Sequence, residues 1–152
     1  MNKNKVIDEF KGEFRYLSNF FIIPVYYKKN HYKSAEHAFQ ARKAIREVDR
    51  EYIANAKIPA TSKVRGRSVM CKKDWDKIKI KEMAGIVYCK FFQNKELKKK
   101  LCNTKDAKLI EGNTWNDDFW GMIKNEKGKW EGNNYLGKIL MAIRKNLCEG
   151  KN

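Results

Sequence analysis

Glu36, Gln40 and Lys43 are spaced by four and three residues, so a helix over this segment lines all three up on one stripe. A carboxylate then shares a face with an amine. Their backbone separation is roughly 10 Å by the helical rise, too long for a direct ion pair but suited to holding two parts of a small substrate. A carboxyl group can give and take a proton, and an amine can attack an electrophilic carbon. An ordinary solvated helix face carries the same pattern, and the stripe alone does not separate the two.

A second stretch, Glu111-Gly112-Asn113-Thr114-Trp115-Asn116-Asp117-Asp118-Phe119-Trp120-Gly121, mixes loop-forming Asn, Asp and Gly with large aromatics and acids. Tryptophan rings stack on bases, and Asn and Asp hold ribose hydroxyls, so the composition suits a nucleoside-like ligand. An aromatic loop plugging a core through Asx turns has the same composition. A third stretch, Glu13-Phe14-Arg15-Tyr16-Leu17-Ser18-Asn19-Phe20, sets Arg15, Ser18 and Asn19 among aromatics and reads as a strand running into a loop. Arg15, or Arg67 in Arg65-Gly66-Arg67, can clamp a phosphate with its planar guanidinium fork, whereas a lone surface Arg contributes little.

These residues need elements to position them. Residues 6–32 are rich in Phe, Tyr, Ile and Val, and the polar Lys28-Lys29-Asn30 predicts a hairpin turn between short strands. Ser34 is placed to cap a helix running to about Arg46, and Asp74 to cap a longer one. Along the latter, Ile80, Met83, Ala84, Val87 and Phe91 make an apolar stripe. Leu136, Ile139, Leu140, Ile143 and Leu147 repeat it near the C-terminus, behind Asn133 or Asn134 as cap. Shorter helices are expected at 46–55, 61–65 and 95–102, and a short strand at 108–111. The sum is a predominantly helical α+β fold in one domain over 1–152, with its core at about 6–148.

The motifs together resemble the YbiA-like N-glycosidase family, also called NADAR (NAD and ADP-ribose associated) domains, over nearly the whole chain. The resemblance rests on Arg15-Tyr16-Leu17-Ser18-Asn19-Phe20, on Tyr32-Lys33-Ser34-Ala35-Glu36-His37 with Gln40-Ala41 and Lys43, on Gly66-Arg67, Asp74-Trp75 and Lys90-Phe91-Phe92-Gln93-Asn94, on the 113–121 loop, and on Asn133-Asn134-Tyr135-Leu136-Gly137 before Leu140-Met141. The sequence departs from the family pattern at Ala38-Phe39 and at Thr104-Lys105. The resemblance implies cleavage of a bond between a ribosyl carbon and nitrogen. Some family members act on early phosphorylated intermediates of riboflavin synthesis, and others remove ADP-ribose from guanine bases of nucleic acid.

By residue, the resemblance implies site positions Glu36, Lys43, Trp75, Asp117 and Trp120, with Asn19 and Arg67 as substrate-holding neighbours. Arg15, Ser18 and Gly121 complete the expected substrate-binding set. Breaking an N-glycosidic bond builds positive charge on the sugar and negative charge on the departing nitrogen. Glu36 is therefore assigned acid/base work, Asp117 the ribose hydroxyls, and Trp75 and Trp120 the walls that exclude water. In a second route, which the resemblance favours, the Lys43 amine attacks the anomeric carbon and holds the opened sugar as an imine. Both routes require the Ser34 helix to turn its acid and amine toward the 113–121 loop.

Charge narrows the substrate. Thirty-four Lys and Arg against 18 Asp and Glu leave +16, concentrated at 63–67, 72–81 and 98–100. Such a field draws phosphates and binds nucleic acid without reading its sequence, although a Lys-rich genome produces the same bias. It tips the expected substrate toward ADP-ribosylated nucleic acid over a small ribotide. A noncatalytic ADP-ribose or NAD-binding module uses the same residue types. No apolar run is long enough to cross a bilayer and no signal core follows Met1, so a cytoplasmic enzyme is expected, without cofactor. Cys71, Cys89, Cys102 and Cys148 are widely spaced, with only His31 and His37 as imidazoles, which points to four reduced thiols and no metal centre.

Overall fold

The polar run at Lys28 does turn the chain. In the computed structural model, which describes residues 5–149, Lys28 and Lys29 take φ values of 45° and 66°. Paired left-handed residues match the twist of a tight hairpin, and they join β2 (Ile22–Tyr27) to an antiparallel β3 (Asn30–Ser34). Val25, Tyr27, Tyr32 and Ser34 point to the buried side, as the two-residue period requires.

The fold is α+β, and its contacts divide it into two units, residues 19–93 and residues 1–18 with 94–152. The first unit centres on α1 (Ala35–Lys43), which packs on α2 (Glu47–Ala54), α3 (Pro59–Arg67), α4 (Trp75–Phe92) and the hairpin. Ser34 caps α1, its hydroxyl accepting from the His37 N–H at 3.2 Å. A cap of this kind contributes about 1 kcal/mol. The helix stops at Lys43, short of the expected Arg46, because Ala44 is extended and bridged to Cys71 while the Lys43 carbonyl accepts from the Lys72 N–H.

Asp74 precedes α4 as expected but makes no side-chain cap bond. The buried face of α4 also differs from the apolar stripe. Met83, Val87 and Phe91 are buried, whereas Ile80 is 36% exposed and Ala84 only half-buried. Ile86 and the charged Glu82 and Lys90 join the buried face instead. A pattern reading assigns charges to solvent by default and so misplaces that face.

In the second unit, β1 (Val6–Ile7) pairs in parallel with β4 (Lys108–Leu109). The stretch from Glu13 is a 3-10 helix over Gly12–Leu17, not the expected strand. Gly12 opens it at φ 56°, and Tyr16 and Leu17 are buried side by side, which strand alternation does not allow. α5 (Lys95–Asn103) and α6 (Tyr135–Cys148) pack together, and α6 lies against β4 so closely that a Cβ at Gly137 would stand 2.2 Å from the Leu109 carbonyl oxygen. Leu136, Ile139, Leu140 and Ile143 fill the core as predicted. A second hairpin, β5 (Ile123–Lys124) with β6 (Trp130–Glu131), was not expected.

Nor was the disulfide. Cys102 and Cys148, with Cα atoms 5.6 Å apart, are bonded, which corrects the reading of four reduced thiols. The packing of α5 on α6 brings together two residues 46 apart in sequence, and Cys71 and Cys89 remain free.

Candidate functional site

α1 is fixed at its start by hydrogen bonds, and that rigidity orients its stripe. The first-turn N–H of Glu36, which no helical carbonyl can satisfy, donates to the Asn19 backbone oxygen at 3.1 Å. His37 is fully buried. Its Nδ1 faces the Ser34 hydroxyl at 2.7 Å and its Nε2 donates to the Ala56 oxygen at 2.9 Å, an arrangement that suits the neutral ring. Burial pushes its pKa down, the Ala56 bond opposes this, and Lys33 adds to it.

On this base Glu36 and Gln40, both buried, form a pair in which Gln40 Nε2 donates to Glu36 Oε1 at 2.9 Å. Gly66 on α3 makes room for it, since a Cβ there would stand 2.2 Å from Gln40 Oε1. Among the described residues, Gln40 Oε1 and Asn19 Oδ1 are buried acceptors that receive no hydrogen bond, while Asn19 Nδ2 lies 3.2 Å from Met83 Sδ. Buried acceptors of this kind normally have a donor. Lys43 ends the stripe half-buried, with no side-chain partner among the described residues. Trp75, buried, tilts against Phe39 with ring centroids 5.1 Å apart. Arg67 is exposed at the end of α3.

The other unit carries the remaining expected residues. Asn113, buried, braces the 113–121 loop: its Oδ1 accepts from the Asp117 N–H at 3.0 Å and its Nδ2 donates to the Asp117 oxygen at 2.7 Å. Asp117 Oδ1 in turn accepts from the N–H groups of Phe119 and Trp120 at 3.2 and 2.9 Å. The carbonyls of Asp118, Phe119, Trp120 and Gly121 accept from the N–H groups of residues 133–136, so the loop caps α6. Trp120 packs edge-on against Phe119 at 4.8 Å, Trp115 is 60% exposed, and a Cβ at Gly121 would stand 2.1 Å from the Glu111 oxygen. Gly121 is thus a spacing residue as well as an expected binding one. Arg15 is exposed on the 3-10 helix, and Ser18 closes that helix, its N–H donating to the Arg15 oxygen. Among the described residues no group of His, Cys, Asp and Glu has the makings of a metal site, and no helix is long and apolar enough to cross a membrane.

The NADAR domain model matches residues 7–148. This chain belongs to the NADAR family. The NADAR chain is 39% identical over 133 residues to "N-glycosidase YbiA" of Shigella flexneri, covering 86% of this chain and 80% of that protein. It is 32% identical over 136 residues to "Riboflavin biosynthesis protein VVA0006" of Vibrio vulnificus, covering 88% of this chain but 36% of that longer protein. In structure it is similar to Escherichia coli YbiA, with a TM-score of 0.79 at 30% identity over 99% of this chain and 95% of that one.

Two participants escaped the sequence reading. From the sequence, Asn113 reads as a loop former and a candidate holder of ribose hydroxyls, not as a brace, although an Asn at a loop start four residues before an Asp is a readable bracing signal. Gly66 was noted only as part of a motif; its spacing function depends on α3 packing against α1, which no local pattern reveals.

Proposed function

We propose that this NADAR chain hydrolyses the C–N bond between a ribosyl anomeric carbon and a base, with the α1 stripe supplying the chemistry. The observation that carries this reading is the Glu36 carboxyl, buried and steadied by Gln40, on the same helix face as Lys43. The naming of its relatives as N-glycosidases supports the reaction class.

In the proposed sequence the Lys43 amine attacks the anomeric carbon as the C–N bond breaks. The bond's electron pair leaves with the nitrogen, which takes a proton from the Glu36 carboxyl. The C1–O4 ring bond then breaks, its electron pair staying on O4, which takes a proton from the attached Lys43 nitrogen, so that the opened sugar is held as a protonated imine. Water gives a proton to the now ionised Glu36 as it adds to the imine carbon, and the free amine leaves as the sugar carbonyl forms. The unpartnered oxygens of Gln40 and Asn19 are acceptors for substrate hydroxyl or amine donors, and Trp75 shields the stripe from water.

The favoured substrate is ADP-ribosylated guanine in nucleic acid, on the strength of the +16 charge. A second reading, a phosphorylated intermediate of riboflavin synthesis, is supported by the names of relatives in that pathway. Rates on an ADP-ribosyl-guanine oligonucleotide and on riboflavin-pathway ribotides, each measured from 50 to 300 mM salt, separate them. The favoured reading predicts turnover of the oligonucleotide that falls steeply with salt; turnover of the ribotides alone, little affected by salt, establishes the second.

A further inference from the structure

Away from the Glu36 stripe, α1 turns Arg42 toward a different neighbourhood. Glu82, 7% exposed on α4, accepts from Arg42 Nε at 3.3 Å, from Tyr27 OH at 3.2 Å, and from Lys28 Nζ. Burial alone would raise the Glu82 pKa, but Lys28 and Arg42 hold it below the usual carboxylate value. With that carboxylate spent, Arg42, whose side chain is 18% exposed, keeps both terminal guanidinium nitrogens without an acceptor among the described residues. From α2, Arg50 Nη1 donates to the Ala44 and Ile45 oxygens at 3.2 and 2.7 Å, and Ala44 is bridged to Cys71, the residue before Lys72.

Lys72 is the telling residue. Its backbone is pinned to α1 through the Lys43 oxygen, yet its half-buried ammonium has no hydrogen bond or ion pair among the described residues. Burial pushes its pKa down, and the charges of Arg42, Arg50 and Lys28 add to the fall, with Glu82 alone opposing. Lys28 and Arg42 thus share the one carboxylate of Glu82, while the Arg42 terminal nitrogens and the Lys72 ammonium hold donors with nothing to donate to among the described residues. A partly desolvated excess of positive charge is costly unless an anion completes it. The planar fork of an Arg beside a Lys point charge is the chemistry that recognises phosphate oxygens.

We propose that Lys72, Arg42 and Arg50 form a phosphate-binding site, with Glu82 and Tyr27 holding Arg42 in orientation. It stands apart from the C–N cleavage reading, because phosphate binding can be measured without turnover. The phosphate has two chemical sources, the terminal monoester of a small nucleotide or the diester of a nucleic-acid backbone.

The test is an NMR titration of the full chain with inorganic phosphate against sodium chloride of equal ionic strength, comparing Lys72→Gln with Lys98→Gln, a charge-matched change on α5. The site predicts saturable shifts of the Arg42 and Lys72 amides that weaken at least tenfold in Lys72→Gln and persist in Lys98→Gln. Lys72→Gln should also melt no lower than wild type in the absence of phosphate, since it removes an unpaired ammonium. Parallel titrations with a nucleoside 5′-monophosphate and with an oligonucleotide lacking terminal phosphates identify the source as whichever loses tenfold in Lys72→Gln. Unsaturable shifts, or equal losses in Lys72→Gln and Lys98→Gln with every probe, would overturn the proposal in favour of a diffuse basic field.

Discussion

Gln40 donates to Glu36 across one turn of α1, and it can do so because Gly66 leaves its amide room. A Cβ at residue 66 would displace the Gln40 amide rather than any backbone. Gly66→Ala should therefore lower kcat about tenfold, the order of one hydrogen bond, while KM and the melting temperature change little. Steady-state kinetics with a thermal melt checks this; an unchanged kcat means that Gln40 does not position the acid.

Lys43→Arg retains the positive charge but cannot form an imine. Under borohydride, intact-mass measurement of wild type during turnover should show a ribosyl adduct on Lys43, and Lys43→Arg should show none and be inactive. Full activity in Lys43→Arg, or no adduct in wild type, removes the imine and leaves Glu36 acid catalysis.

Asp117 Oδ1 holds two loop N–H groups, so Asp117→Ala should cost about 1–2 kcal/mol of stability. Asp117→Asn keeps an acceptor oxygen there and removes the charge. If the carboxylate also serves the ribose hydroxyls, Asp117→Asn should melt near wild type and lose at least tenfold in kcat/KM. Loss of stability without a separate loss in Asp117→Asn confines the residue to shaping the loop.

His37 gives the fold a pH dependence of predictable sign. Its folded pKa lies below the ordinary imidazole value of about 6.5. The unfolded chain then binds a proton that the folded chain does not, so His37's contribution is complete above pH 6.5 and is lost as pH falls toward the folded pKa. Urea midpoints should fall between pH 7.5 and 5.5, and the slope should flatten in His37→Gln; an equal slope in both would place the dependence elsewhere.

The Cys102–Cys148 bond closes a 46-residue separation. On the chain-entropy view such a loop contributes about 2–4 kcal/mol. Reduction, or Cys148→Ser, should lower the urea unfolding free energy by that amount, and reductant should have no further effect on Cys148→Ser.

What the sequence made legible was what neighbours along the chain determine. The Lys28-Lys29 turn, the Ser34 cap and the α6 stripe each depend on a few adjacent residues, and each formed where expected. The Glu36 and Lys43 stripe was legible for the same reason, and the motifs carried the family. Burial of Glu82 and Lys90 was not, because their partners or packing lie on distant segments. Cys102 with Cys148, and the Lys72 cluster, required α5 against α6 and α1 against α2 and α4. The β5–β6 hairpin carries its signal locally: Asn125 Oδ1 accepts from the Lys127 and Lys129 N–H groups, and Gly128 takes φ 73°.

The most direct test of C–N cleavage is chromatographic detection of free base after single-turnover incubation of wild type and Glu36→Gln with each candidate substrate. Wild type should release one equivalent of base, and a folded Glu36→Gln that still binds substrate should release none. Tight binding of intact substrate by wild type with no base released would contradict it and make the chain a binding module.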